Sequence, residues 1–229
     1  MAQEPNSIPY DPTTGLTWGE AGTIALERMP ALWAAAEALS HPDMRVRQQG
    51  WELLVGDNVV SVSPLVAYLA VTRLTEPDLL LRSQIAAHLG ALLTSETPEA
   101  GAAESVRATL QAHLAQMTPL QVTALLEVTA RWPELRPAVS AIFAVSPFAG
   151  DILGGMSGDR KVGLALRREA LYFIGMVGFL NALPDLERLA ARLDTQINGS
   201  RSLAYTLGRD DEAELLVAVQ AALELLRAP

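Results

Sequence analysis

Of the 17 basic residues in this chain, all but Lys161 are arginines, and cysteine is absent. Without cysteine there is no thiolate nucleophile, no thiolate zinc site and no disulfide framework. The three histidines, His41, His88 and His113, stand apart from one another. None belongs to an HExxH pair, so the usual zinc-hydrolase pattern is missing. The glycine-rich stretch GGMSGDRK (154–161) lacks the GxxxxGK[ST] order that cradles phosphates. Ser157 sits in Gly155-Met156-Ser157-Gly158-Asp159, which departs from the GxSxG of a nucleophile elbow. That stretch reads as a mobile connection. Arg160, Lys161, Arg167 and Arg168 make a local basic cluster, suited to an acidic partner segment or simply to water. Asp210, Asp211, Glu212 and Glu214 open the last helical segment, where negative charge complements the helix dipole. These residues predict no catalytic group, no cofactor site and no metal centre.

The elements that position these residues follow from composition. The 229 residues are 50% hydrophobic but only 5% aromatic, with alanine and leucine dominant. Such a chain can bury a sizeable core, and its composition favours helices. No alternating run of β-branched residues between turn signals suggests a strand. The net charge of −9 repels phosphate backbones over the surface as a whole, so a nucleic-acid partner is not expected. The N-terminal MAQEPNSIPYDPTTG has neither the basic nor the apolar region of a secretory signal. Uncharged apolar stretches such as ALYFIGMVGFLNAL (170–183) fall short of the roughly 20 residues that span a bilayer. A soluble, cytoplasmic protein with no membrane partner is the expectation.

Residues 1–16 are rich in proline and polar groups and read as a flexible arm. Thr17-Trp18-Gly19-Glu20 is a capping box that opens a helix. Ser63-Pro64 and Thr118-Pro119 are N-cap and N1 pairs. Helices are predicted near 20–29, 30–39, 43–55, 64–74, 78–93, 103–116, 119–131, 134–144, 162–178, 183–194 and 211–227. They form one repeat domain over 17–229, interrupted by long loops near 145–161 and 195–210.

The repeat is visible when segments are aligned on an arginine. VRQQGWELL (46–54), LRSQIAAHL (81–89), LRPAVSAIF (135–143) and LRREALYFI (166–174) superpose without gaps. Counting from the Arg, positions −1, +3 and +7 are apolar or small and share one helical face. The first two copies are preceded by Pro42-Asp43 and Pro77-Asp78. Asp43 with Arg47, and Asp78 with Arg82, are i,i+4 pairs in the favourable order. Such pairs contribute roughly 0.3–0.5 kcal/mol each when exposed. AVQAALELL near the C-terminus is a weaker copy without the Arg.

Pro-Asp and Arg leading into an apolar helix resembles the second helix of a HEAT repeat. Residues 166–193, where a helix ends at Gly178 and Ala182-Leu183-Pro184 opens the next, resemble the bacterial and phycobilin-lyase-type HEAT-like repeats more closely still. The resemblance implies an all-α solenoid of about five helical pairs. In that family the Asp/Arg residues form a structural ladder, here Asp43, Arg47, Asp78, Arg82, Arg136 and Arg167. Second helices line the concave face, which would present Gln48, Trp51, Gln84, Arg168 and Tyr172 to a partner. The implied function is a non-enzymatic scaffold or adaptor that binds a protein on that face. Apolar end helices would also suit self-association. The alternative is a HEAT-like enzyme or enzyme subunit, similar to an alkylpurine DNA glycosylase or a bilin lyase.

Overall fold

The computed structural model describes residues 29–94, 103–199 and 209–228. The arm at 1–16, the capping box at Thr17, the predicted helix near 20–29 except for its last residue, and residues 200–208 of the second predicted loop lie outside them. Among the described residues every regular element is a helix. The chain divides into two compact units, residues 1–59 and 60–229.

In the first unit α1 covers 29–38 and α2 is Met44–Gly56. Asp43 is the N-cap of α2, its carboxylate accepting from the Arg45 N–H at 2.9 Å. Pairing of α1 with α2 is close because Gly50 has no side chain. A Cβ there would lie 2.7 Å from the Ala35 carbonyl oxygen.

The second unit begins within the short α3 (Val59–Val62) and continues with α4 (Pro64–Thr72), α5 (Leu79–Thr94) and α6 (Glu104–Leu114). It then runs through α7 (Pro119–Arg131), α8 (Arg136–Ala144), α9 (Ala149–Gly158), α10 (Leu164–Val177), α11 (Leu183–Gly199) and α12 (Arg209–Arg227). The Ser-Pro and Thr-Pro pairs do open helices. Ser63 caps α4, and Thr118 forms a full capping box with Gln121 on α7. Gly178, at φ +83°, closes α10 in the left-handed conformation that glycine adopts without penalty.

Helices α5, α8, α10 and α12 touch in that succession, while α7 meets α9 and α9 meets α11. Packing of α5 on α8 is tightest at Gly90, where a Cβ would sit 2.5 Å from the Ala138 carbonyl oxygen. The core follows the repeat. Position +3 (Gly50, Ile85, Val139, Ala170) and position +7 (Leu54, Leu89, Phe143, Ile174) are buried in all four copies. Phe143 and Phe173 meet edge to face with centroids 4.9 Å apart, a favoured aromatic arrangement.

Two expectations fail here. The predicted loop at 145–161 holds a ten-residue helix, α9, and residues 195–199 of the second predicted loop continue α11. Glycine disfavours a helix interior by about 1 kcal/mol relative to alanine, which argued for a loop. Tertiary packing overrides it. Ala149, Gly150, Leu153, Gly154 and Ser157 are buried at helical spacing. Gly150 faces Phe179 and Asn181, and Gly154 faces Asp185 and Ala182, so the glycines let α9 lie close to the entry of α11.

Candidate functional site

The repeated arginine lies on the buried stripe itself, because positions 0, +3, +4 and +7 share one helical face. Arg47 and Arg82 are only 9% and 7% exposed. A buried guanidinium must find internal acceptors, and each one takes the loop that precedes its helix. Arg47 donates to the carbonyls of His41 and Pro42 at 2.9 and 2.8 Å. Arg82 donates to the carbonyl of Glu76 at 2.7 Å, the same offset as Arg47 to His41. It also reaches α7, at the Ala124 carbonyl (3.2 Å) and the Glu127 carboxylate (2.5 Å). Arg167 donates from Nε to the Ser157 carbonyl at the end of α9, at 2.9 Å. Asp78, like Asp43, is a helix-entry cap, accepting from the Leu81 N–H at 2.8 Å. The paired Asp and Arg therefore have separate tasks: the Asp caps the helix, and the Arg ties down the preceding turn. Because Arg47 and Arg82 are buried, the energy of an exposed i,i+4 pair does not describe them.

The five residues expected to meet a partner separate. Trp51 is 3% exposed and belongs to the core. Position +4 of a repeat helix lies beside +3 on the buried stripe, and Ala86 and Leu171 are buried there too. Gln48, also in the first unit, donates to Glu52 one turn on, at 2.9 Å. Gln84 on α5 is half-buried. Arg168 and Tyr172 are brought together.

They line a cleft of about 380 Å³ with Ala130, Pro133, Arg136, Ala218, Ala221 and Leu225 among its walls. Arg136 organises it. Its Nε and Nη2 grip both oxygens of Glu169, at 3.1 and 2.5 Å, and Glu169 is only 6% exposed. The guanidinium carbon stands 4.3 Å from the centroid of the Tyr172 ring, a cation–π geometry. Tyr172 also meets Phe173 edge to face at 5.3 Å. The hydrogen bond to Glu169, ahead of the opposing effect of burial, holds the Arg136 pKa above its ordinary value. Arg168 is exposed at the rim and pairs with Glu214 of α12 at 2.8 Å. The result is a fixed aromatic face with a cation on it, inside walls of alanine and leucine. Such a surface can hold an apolar side chain and offer donors to a carbonyl or carboxylate beside it. No group of three or more His, Cys, Asp or Glu is placed to hold a metal ion among the described residues.

Two features escaped the sequence reading. Trp33 on α1 is 64% exposed, in contrast to Trp51. The signal was present: Ala35 and Leu39 mark the buried side of α1, and Trp33 lies off that stripe. Glu169, the partner of Arg136, was also missed, because the pair joins two copies of the repeat rather than two turns of one helix.

No described helix is long and apolar enough to cross a membrane. Compared with protein families, curated proteins and solved structures, the chain matches none of them.

Proposed function

We propose that this chain is a non-enzymatic interaction scaffold, a HEAT-type α-solenoid that holds a protein partner in the cleft between α10 and α12. The observation that carries the reading is the Tyr172 face, fixed under Arg136 and set among small apolar residues. Aromatic and Arg side chains dominate interface hot spots, and a rigid ring loses little entropy on binding. The succession of contacts along α5, α8, α10 and α12 supports the solenoid, since those helices take the place of second helices in a stack.

The test is a photo-crosslinking amino acid placed at Ala221, in the cleft wall, or at Gln111, an exposed position on α6. Irradiation in the native host should yield one discrete protein adduct from position 221 and none from position 111. Equal, diffuse labelling from both positions would reject the cleft as a binding face.

A further inference from the structure

A second surface lies where α9 ends. Arg167 and Arg192 donate to the adjacent carbonyls of Ser157 and Gly158, at 2.9 and 3.0 Å. This pins two guanidinium groups side by side at the carbonyl end of α9, each using one of its five N–H groups. Arg160 and Lys161 follow directly in the connection to α10. Asp159 turns back to accept from the Lys161 backbone N–H at 2.9 Å. Glu212 stands 3.6 Å from Arg160, and Asp185 pairs with Arg188. Arg160, Lys161, Arg167, Arg188 and Arg192 thus outnumber the carboxylates of Asp159, Asp185 and Glu212, on a chain whose net charge is −9. Burial, and then the like charges of Arg192 and Arg160, depress the Arg167 pKa. Beside them runs a trough of about 330 Å³ lined by Gly154, Gly155, Gly158, Asp185, Arg188 and Arg192. Its floor is open: a Cβ at Gly155 or Gly158 would meet nothing within 4 Å.

We infer that this trough, together with the basic connection beside it, is a docking site for an acidic peptide segment of a protein, with Arg192 in the trough wall and Arg160, Lys161 and Arg167 next to it as the charge contacts. The chemistry favours a peptide over a phosphate. A lone phosphate seeks converging N–H groups at a helix N-terminus, whereas here the floor is the carbonyl end of α9. A nucleic acid meets the repulsion of the whole acidic surface. An acidic peptide is repelled by the same overall charge, but its carboxylates are spaced along the chain and need not converge on the α9 carbonyls. Its backbone can lie over the side-chain-free glycines while successive carboxylates reach cations spread along two elements. The site does not depend on the Tyr172 cleft.

The probe is a fluorescein-labelled oligoglutamate peptide, followed by anisotropy at low salt, with oligoglutamine as the neutral control. Wild-type protein should bind oligoglutamate and not oligoglutamine, and binding should weaken as salt rises. Arg160→Glu with Lys161→Glu removes two cations without touching the α9 carbonyl caps. It should weaken binding about tenfold or more with unchanged helicity, while Tyr172→Ala leaves binding intact. Failure to bind oligoglutamate at low salt would overturn the inference. So would equal binding by the double variant, or preferential binding of inorganic phosphate or of a short DNA.

Discussion

Arg82→Met keeps the apolar stem of the side chain and removes only the guanidinium. The structure sets the cost. The Glu76 carbonyl, on a residue 2% exposed, loses its 2.7 Å donor, and a buried acceptor deprived of a partner costs about 1–3 kcal/mol. The Ala124 carbonyl belongs to the interior of α7 and keeps its helical donor, so its loss adds little. Glu127 has a side chain 45% exposed, so the ion pair is screened and contributes under about 1 kcal/mol. The sum is about 1–4 kcal/mol, or roughly 2–16 °C in melting temperature for a unit of this size. Arg47→Met is the control from the other copy of the motif. Two of its acceptors sit on the exposed residues His41 and Pro42, where water can replace the guanidinium, so a smaller loss than for Arg82→Met is expected. Thermal and urea melts followed by circular dichroism read both variants. Equal shifts, or an unaffected Arg82→Met protein, would refute the claim that this arginine acts by tying down a buried turn.

Gly90→Ala pushes a methyl against the Ala138 backbone and should cost about 1–3 kcal/mol; a neutral effect in a urea melt would mean that α5 and α8 can separate. Arg136→Lys keeps the charge but loses the two-point grip on Glu169 and the flat face against Tyr172. It should lower the melting temperature and change near-ultraviolet dichroism, whereas a wild-type spectrum would show that the guanidinium does not order the ring. Burial holds the His88 pKa below its ordinary 6.5. The unfolded chain therefore takes up the proton more readily, and stability present above that value drains as pH falls through the folded pKa. Between about pH 7.5 and about pH 5.5 the wild-type melting temperature should fall more than that of His88→Leu. Parallel falls in both proteins would place the titration elsewhere.

Helix existence was legible because caps and periodicity agree. Ser63-Pro64 and Thr118-Pro119 sit at true helix starts, and Leu54, Leu89, Phe143 and Ile174 are all core. What was not legible comes from contacts between distant segments. Gly150 and Gly154 read as loop residues until Asn181 and Asp185 are seen against them. Trp51 read as a surface residue because only positions −1, +3 and +7 were assigned to the apolar stripe. A helix buries a wider band, and +4 falls inside it. Arg168 and Tyr172 were found from their place off that stripe. Their companions Ala218, Ala221 and Leu225 come from α12, and no local pattern pairs α12 with α10.

The central claim is that a protein partner is held at the Tyr172 cleft. Its most direct test is parallel affinity capture from the native host with the wild-type chain and with Tyr172→Ala combined with Ala221→Arg. Each capture is read by quantitative mass spectrometry, with and without nuclease. The account predicts one stoichiometric protein that survives nuclease, is retained by the wild type and is lost from the variant, with both proteins equally folded by circular dichroism. A partner retained equally by both, or recovered only through nucleic acid, would contradict it.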